Sequence, residues 1–299
     1  MMINENHDYS FALDIDKEIK SYENYLRLAN FQLSTVKAYV RTVRIFLSYA
    51  CAQGIVGLPS QDDVQTYLLM RVDAGKSWST INADYSALRK YYKIIKDYEW
   101  SLKKMPRPRS DKRLPDILSR QEVLQIINAA PNLKYQVFLT LLYATGIRLS
   151  EACNLKVSDI DSDRMQIKIT KGKGGKDRMV ALPQKLLALL RDYYRITKPV
   201  TYLFNGKVKG SKYSVSAGQW SIRRARLLGG VTKKCSIHTL RNCYATHHLE
   251  LGTDLVYLQE QLGHKNLKTT AKYIRLCIER YRQINHPIDH INPHYKLPM

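Results

Sequence analysis

Two arginines, two histidines and a tyrosine are spread over residues 148–273 of the chain: Arg148, His238, Arg241, His264 and Tyr273. A planar guanidinium can bind two phosphate oxygens at once. The transition state of phosphoryl transfer spreads negative charge over its non-bridging oxygens, so catalysis needs mainly positioning and positive charge. These residue types therefore suit a reaction in which a phenolic oxygen attacks the phosphorus of a phosphodiester held by cationic side chains.

The same residues also have a purely structural interpretation. Glu151 lies three residues after Arg148, close enough for a salt bridge with no part in catalysis. His238 and Arg241, however, are also three residues apart, which places both side chains on one face of a helix. A single carboxylate does not form a two-metal nuclease site, and no set of cysteines and histidines is complete for zinc. The sequence therefore predicts neither a metal nor another cofactor.

Four motifs carry a resemblance to a known family. Thr145-Gly-Ile-Arg148-Leu-Ser-Glu151, His238-x-x-Arg241, Leu262-Gly-His264 and Tyr273 resemble the tyrosine recombinase (phage integrase) family, in order and spacing, over roughly residues 14–285. The resemblance implies an Xer- or integrase-like site-specific recombinase. Such an enzyme cleaves and rejoins double-stranded DNA through a covalent 3′-phosphotyrosine intermediate, without metal or ATP, as a homo- or hetero-tetramer on recombination sites.

The resemblance also implies a role for each motif residue. Arg148 and Arg241 would bind the phosphate, and Tyr273 would be the nucleophile. His238 and His264 would contact the phosphate or transfer a proton, and because the family has His or Trp at the position of His264, that residue is expected to act more by hydrogen bonding and packing than as an obligatory acid or base. Glu151 would orient an arginine rather than act as a catalytic base.

A lysine-rich turn supplies a further catalytic candidate. Lys171, Lys173 and Lys176 lie between two segments that alternate like strands. The family places a lysine in such a turn, where it can protonate the leaving 5′ oxygen. Matching the segment to the family pattern selects Lys173. The other two lysines remain alternatives, and all three could simply contact backbone phosphate.

One motif position departs from the family. Asn242 follows Arg241, where the family usually has a histidine. The sequence assigns this position only a peripheral contact.

Charge is distributed unevenly along the chain. The formal net charge is +22, yet residues 1–100 contain twelve basic and twelve acidic residues, so the excess lies in the remainder. Such a field suits a polyanion, usually nucleic acid, although a solvated basic surface is the alternative interpretation. No run of about 20 apolar residues predicts a membrane span. The start of the chain is unlike a signal peptide, and the five scattered cysteines are typical of reduced cytosolic thiols. We therefore expect a cytoplasmic protein.

The elements that position the candidate residues are predicted to be mainly α-helical, with a small antiparallel β-sheet. We expect a helical core-binding, SAM-like DNA-binding domain over residues 14–100 and a basic linker over 101–113. A tyrosine recombinase catalytic domain would follow over 114–285, and a tail over 286–299 could dock on a partner protomer.

Local signals predict several element boundaries. Ser34 and Ser79 can cap helices of the first domain, and Ser60-x-x-Asp63 and Ser119-x-x-Glu122 resemble capping boxes. Strands are expected over 165–170 and 178–182. Helices are expected over 239–251 and from Leu267 toward Arg282.

Basic residues on outer helix faces and in the linker are candidates for DNA contact: Lys37, Arg41, Arg44, Lys90, Lys93, Lys103, Lys104, Arg107 and Arg109. Solvated surface charge is the alternative interpretation for each of them.

Two other classes of protein fit part of this pattern. A type IB topoisomerase would share the chemistry but relax DNA without pairing two sites. A DNA-binding regulator would bind without cleaving. The helical first domain argues against the topoisomerase, and the presence of Tyr273 with its basic partners argues against the regulator.

Overall fold

The computed structural model describes residues 14–101, 106–107, 116–170, 177–208 and 210–277. The chain divides into two compact units between Arg113 and Leu114. Both are mainly helical, and the second contains a small antiparallel sheet, as the sequence predicted. No helix within these described ranges is long and apolar enough to cross a bilayer.

The first unit is built around buried tyrosines. Its helices are α1 (Ile15–Leu28), α2 (Leu33–Ala52), α3 (Gln61–Asp73) and α4 (Trp78–Ile95). A buried phenol needs an acceptor for its hydroxyl group. Tyr22 accordingly donates to the carbonyl of Ala87 at 3.0 Å, and Tyr92 donates to that of Pro59 at 2.6 Å. These hydrogen bonds join segments that are distant in sequence, so they fix how the helices pack.

Serine capping determines where helices begin. The capping boxes predicted at Ser60 and Ser119 are both present. The predictions for Ser34 and Ser79 were wrong, because α2 begins one residue before Ser34, and Ser77 rather than Ser79 caps α4. Either serine could cap α4 by residue type, but only Ser77 has the extended backbone that lets its side chain accept from Thr80.

The second unit combines helices with a three-stranded sheet. Its elements are α5 (Arg120–Asn128), α6 (Leu133–Thr145), α7 (Leu149–Asn154), β1 (Ile160–Asp161), β2 (Gln166–Ile169), β3 (Arg178–Ala181), α8 (Gln184–Thr197), α9 (Val215–Leu228), α10 (Ile237–Glu250), α11 (Leu255–Leu262) and α12 (Leu267–Ala271). The strands are ordered β1-β2-β3 and are antiparallel, with Gln166 opposite Ala181 and Ile169 opposite Arg178. The two predicted strands are thus confirmed, and the lysine turn between them lies outside the described residues.

The core of the second unit surrounds α6. Phe138 on this helix packs edge-to-face against Phe204, with ring centroids 5.0 Å apart. Gly146 then ends α6 in the left-handed region, at φ +60°. A side chain at this position would collide with the ring of Tyr244 on α10, so only glycine allows α6 and α10 to approach this closely.

Two helix predictions near the motif residues need correction. Helix α10 begins at Ile237, capped by Ser236, rather than at Thr239, so His238 lies in its first turn. The expected long helix from Leu267 is also wrong over the described residues. It ends at Ala271 and passes into a 3-10 turn, Lys272–Leu276. Tyr273 therefore lies in this turn and faces the protein interior.

Candidate active site

The C-terminal end of α11 organises the site. Gly263 ends this helix in the left-handed region, at φ +62°, and the last carbonyls have no helical partner. Three consecutive carbonyls there, which we call the carbonyl triplet, each accept from a different arginine: Gln261 from Arg178 at 3.1 Å, Leu262 from Arg241 at 2.6 Å and Gly263 from Arg148 at 3.2 Å. The negative end of the helix dipole favours these cations.

Arg241 joins two helix ends. It is 3% exposed and donates to the carbonyl of Gly146, which caps α6, as well as to Leu262 in the carbonyl triplet. Burial and the nearby charge of Arg148 lower its pKa to about 10, so it remains a cation at neutral pH. Arg241 therefore has a structural role in addition to any contact with a ligand.

Glu151 lies between two arginines. Its carboxylate accepts from the backbone N–H and Nη1 of Arg148, at 2.8 and 2.9 Å. It also accepts from both terminal nitrogens of Arg178, at 2.9 and 2.8 Å. Burial opposes ionisation, but the hydrogen bonds and charges of the two arginines outweigh it and lower the pKa of Glu151 to about 2. The sequence placed Glu151 next to Arg148 but missed Arg178, which bridges β3 to the site.

His264 is held as a neutral imidazole. Arg241 approaches its Nε2 at 3.1 Å and can only donate, so Nε2 accepts. Its Nδ1 must then carry the proton and donate to Oγ1 of Thr270 at 2.9 Å. Burial and the surrounding arginines lower the pKa of His264 to about 3. In this arrangement both ring nitrogens are engaged, Nε2 by Arg241 and Nδ1 by Thr270.

Tyr273 is completely buried. Its exposed fraction is 0%, and its ring stacks against that of His264 at a centroid distance of 6.3 Å. Its hydroxyl group donates to Oδ1 of Asn242 at 3.1 Å. Burial raises the pKa of Tyr273, and the charges of Arg241 and Arg148 offset this only in part. The residue is therefore a neutral phenol at physiological pH.

Two residues beside Tyr273 were missed or misjudged from the sequence. Asn242 was assigned a peripheral contact, but it is 4% exposed and accepts from the Tyr273 hydroxyl. Lys272 was not considered, yet its Nζ lies 4.9 Å from the centre of the Tyr273 ring. Burial and the charge of Arg241 lower the pKa of Lys272. The only sequence signal for Lys272 was its position next to the motif tyrosine. That position does not show whether the lysine side chain points toward the tyrosine ring.

An open cleft lies beside the buried tyrosine. It has a volume of about 420 Å³ and is lined by Arg148, His238 and Arg241, together with polar groups of Ser150 and Gln219. Burial, followed by the charges of Arg241, Lys272 and Arg148, lowers the pKa of His238. The cations thus face a space open to a ligand, whereas the fully buried Tyr273 does not. Within the described ranges, no cluster of three or more His, Cys, Asp or Glu side chains could hold a metal ion.

Sequence comparisons identify the family to which these elements belong. Residues 116–280 match the profile of the Phage integrase family, and residues 19–102 match that of the Phage integrase N-terminal SAM-like domain. The chain is a tyrosine recombinase of the phage integrase family. The first match spans all the motif residues described above.

Relatives of this tyrosine recombinase cover most of its length. A tyrosine recombinase of Thermosipho africanus is 33% identical over 280 residues, covering 88% of this chain and 96% of the relative. The tyrosine recombinase XerA of Pyrococcus horikoshii is 31% identical over 266 residues, covering 89% and 91%. The crystal structure of a lambda integrase tetramer bound to a Holliday junction has the same fold, with a TM-score of 0.70 and 18% identity over 92% of this chain and 80% of that one.

Only some of the remaining candidate residues of the recombinase lie in the part of the chain that the structure describes. Lys173, with its alternatives Lys171 and Lys176, lies outside the described residues, and so do Lys103, Lys104 and Arg109. In the first unit, Lys37, Arg41 and Arg44 are exposed on α2, as predicted. Two candidates form ion pairs: Arg44 with Asp16 at 2.7 Å and Lys93 with Glu99 at 3.1 Å.

A groove in the first unit gathers more of these basic residues. It has a volume of about 660 Å³, and Lys90, Lys93 and Arg107 line it together with Arg89 and Tyr85. Lys90 also lies over the ring of Phe31, with its Nζ 4.9 Å from the ring centre. The groove therefore has aromatic surface and an excess of basic residues, and Glu99, which also lines it, pairs with Arg89 and Lys93.

Replacing Arg178 with alanine should weaken both the fold and the reaction. Glu151 would keep a buried carboxylate with only one arginine, and loss of one partner from a buried ion pair costs roughly 3 kcal/mol of unfolding free energy. Arg148 would then be held less firmly. Denaturant unfolding and single-turnover cleavage measure the two effects. Lys233→Ala, which breaks a more exposed pair with Glu122 (2.9 Å), is the matched control. Unchanged unfolding in Arg178→Ala would contradict this role.

Proposed function

We propose that this protein is a site-specific recombinase that cleaves and rejoins duplex DNA, with Tyr273 as the nucleophile. The observation that carries the proposal is the carbonyl triplet, which holds Arg148 and Arg241 beside one cleft and against the tyrosine pocket. Two guanidinium groups fixed by backbone hydrogen bonds form a preorganised anion site that needs no rearrangement as charge develops.

The proposed reaction exchanges one phosphodiester for another. The guanidinium groups of Arg148 and Arg241 bind the non-bridging oxygens of the scissile phosphate. Once Tyr273 has left its buried position, its phenolic oxygen attacks phosphorus, forming a 3′-phosphotyrosine as the bond to the 5′ oxygen breaks. His238 is positioned at the cleft to contact the phosphate or accept the phenolic proton, and its lowered pKa keeps it neutral. Lys173 protonates the leaving oxygen, as the family resemblance implies.

The reaction needs no ATP, because the covalent intermediate retains the energy of the broken phosphodiester bond. The phosphotyrosine keeps a phosphodiester bond, so a 5′ hydroxyl can reverse the attack and release Tyr273. If that hydroxyl belongs to a second duplex, the outcome is strand exchange. The arginines supply the positive charge that a metal ion would otherwise provide, so we propose a reaction without a cofactor.

DNA binding is proposed to involve both units. The basic excess of residues 101–299 supplies non-specific affinity through the phosphate backbone. In the first unit, the exposed Lys37 and Arg41 on α2 and the basic groove lined by Lys90 and Lys93 supply further contacts. Since the lambda integrase relative forms a tetramer on a Holliday junction, we propose that four protomers, identical or of two kinds, act on two sites in the cytoplasm.

A covalent-capture experiment tests this function. Duplexes that the full chain selects from a random library are rebuilt as nicked suicide substrates, labelled at the 5′ end of the cleaved strand and incubated in EDTA. We expect a labelled protein adduct on a denaturing gel and recombinant products from intact paired sites. Relaxation of supercoiled DNA without site preference would indicate a topoisomerase, and binding without an adduct a regulator. Loss of the adduct in EDTA, restored only by a divalent ion, would contradict the metal-free mechanism.

Neutralising the linker should flatten the salt dependence of DNA binding. The six basic linker residues to be changed to glutamine are Lys103, Lys104, Arg107, Arg109, Lys112 and Arg113. Each phosphate contact contributes about −0.9 to the slope of log K against log salt concentration, through counterion release. We expect a shallower slope on target and scrambled duplexes alike. Changing Arg44 and Lys93, which already have acidic partners, should alter the slope less than changing Lys37 and Arg41. An unchanged slope in the linker variant would show that the linker does not contact phosphate.

A further inference from the structure

The hydrogen bond between Tyr273 and Asn242 lies inside the protein. Asn242 follows Arg241 on α10 and is 4% exposed, while Tyr273 is 0% exposed. The phenolic oxygen and Oδ1 of Asn242 are 3.1 Å apart. Bulk water cannot replace this acceptor while both groups are buried, so breaking the hydrogen bond costs more than it would at the surface.

The acceptor contributes to the protonation equilibrium of Tyr273. A carbonyl oxygen can accept from a phenol, but it has no proton to offer a phenolate. A hydrogen bond to the neutral form opposes ionisation, so Oδ1 of Asn242 favours the phenol. The nucleophile of the proposed reaction is the phenolate, and this hydrogen bond must be given up when the proton leaves.

The charged groups around Tyr273 act in the opposite sense. Arg241 faces it from α10, Arg148 from the start of α7 and Lys272 from the preceding position of its own turn. Each cation favours the phenolate. His264 stacks on the ring and carries no charge at neutral pH, since its pKa is about 3. The cations thus favour loss of the Tyr273 proton, whereas burial and the amide oxygen of Asn242 favour its retention.

We propose that Asn242 is a positioning residue that holds the nucleophile in its neutral, buried form until the proton is removed for attack. The inference rests on the proposed function, because it assigns Asn242 a part in the reaction of Tyr273. An amide does not titrate in the physiological range, so its effect is a constant displacement of the pH at which Tyr273 becomes reactive. The displacement can be altered in either direction by substitution.

Two variants of Asn242 should have opposite effects. Asn242→Asp has the same shape but places a negative charge on the acceptor, which strengthens its preference for the phenol. The rise of the cleavage rate with pH should move to higher pH by roughly one unit, a rate about tenfold lower on the rising limb. Asn242→Leu removes the acceptor but keeps a side chain of similar size. In this variant the rise of the cleavage rate with pH should move to lower pH.

Single-turnover adduct formation by the full chain is measured between about pH 6 and about pH 9.5, on a nicked suicide duplex that wild type cleaves. Thr246→Val is the matched control. Thr246 lies four residues further along α10, is completely buried, and its Oγ1 has no hydrogen-bond partner within the described part of the chain. The control loses a buried hydroxyl from the same helix and should leave the pH profile unmoved.

Opposite displacements in the Asp and Leu variants support the inference. Lower rates in both variants, or displacements in the same direction, overturn it and leave Asn242 a packing residue. If Asn242→Leu does not fold, the test rests on the isosteric Asp variant. A pH profile displaced to higher pH supports the inference, and a profile that is not displaced overturns it. A wild-type chain that forms no adduct on any selected duplex overturns the proposed function, and this inference with it. If wild type forms the adduct but the pH profiles of the Asn242 variants match that of wild type, only the inference is overturned.

Discussion

Phenylalanine in place of Tyr273 should abolish the covalent DNA adduct while leaving DNA affinity within a few-fold of wild type. The substitution removes only the phenolic oxygen and keeps the ring that packs against His264. Without that oxygen no bond to phosphorus can form, whereas the basic surface that binds DNA is unchanged. A denaturing gel with labelled suicide duplex measures the adduct, and a filter or gel-shift titration measures affinity.

The phenylalanine variant should also be slightly less stable. It leaves Oδ1 of Asn242 buried without the hydroxyl donor, which costs about 1–3 kcal/mol of unfolding free energy. Tyr257→Phe is the matched control, since Tyr257 is a half-exposed tyrosine on neighbouring α11 and should keep full adduct formation. Undiminished adduct in the Tyr273 variant would mean that another residue is the nucleophile.

Alanine in place of Arg148 should slow the cleavage step by two to three orders of magnitude. The loss of one preorganised charge-stabilising group from a transition state costs about 3 kcal/mol or more. Affinity should fall much less, because the chain carries a net charge of +22 and many other basic residues remain available for phosphate contacts. Comparing single-turnover cleavage with the dissociation constant separates the two effects.

Arg241→Ala should show the same chemical defect together with a loss of stability. Arg241 is 3% exposed and caps the ends of both α6 and α11, whereas the Arg148 side chain is 24% exposed. Arg226→Ala is a suitable control, because Arg226 also donates to two backbone carbonyls, those of Val231 and Thr232, but does not line the cleft. Cleavage within a few-fold of wild type for Arg148→Ala would rule out its assignment as a phosphate ligand.

The sequence predicted the parts of this molecule that depend on local patterns. Capping boxes at Ser60 and Ser119 and the paired strands were recognised because their signals lie within a few residues. The cap at Ser79 was wrong because Ser77, a residue of the same type, takes that position, and the cap at Ser34 was wrong because α2 begins at Leu33 without a side-chain cap.

The contacts that build the site could not be predicted in this way. Arg178 and Gln261 are 83 residues apart, and Arg148 and Gly263 are 115 apart, so no periodicity connects them. Local sequence patterns also could not predict that the side chain of Tyr273 points into the protein interior. Nothing between Leu267 and Tyr273 is a helix breaker, yet the chain enters a 3-10 turn there and buries the ring. The order of the motifs thus identified the catalytic candidates, but it did not predict the hydrogen bonds and ion pairs that position them.

The carbonyl triplet links the assembly of the phosphate site to the stability of one short helix. Helix α11 has only eight residues, too few to be stable without the packing around it. If that helix opens transiently, all three arginines lose their carbonyl-triplet contacts at the same time, and the contacts to Glu151 and to the Gly146 carbonyl remain. The local free energy of opening, measurable by hydrogen exchange of the amides in α11, therefore sets the fraction of molecules with an assembled phosphate site. A substitution that loosens α11 without touching any arginine would lower activity by reducing this fraction, while the remaining molecules react at the normal rate.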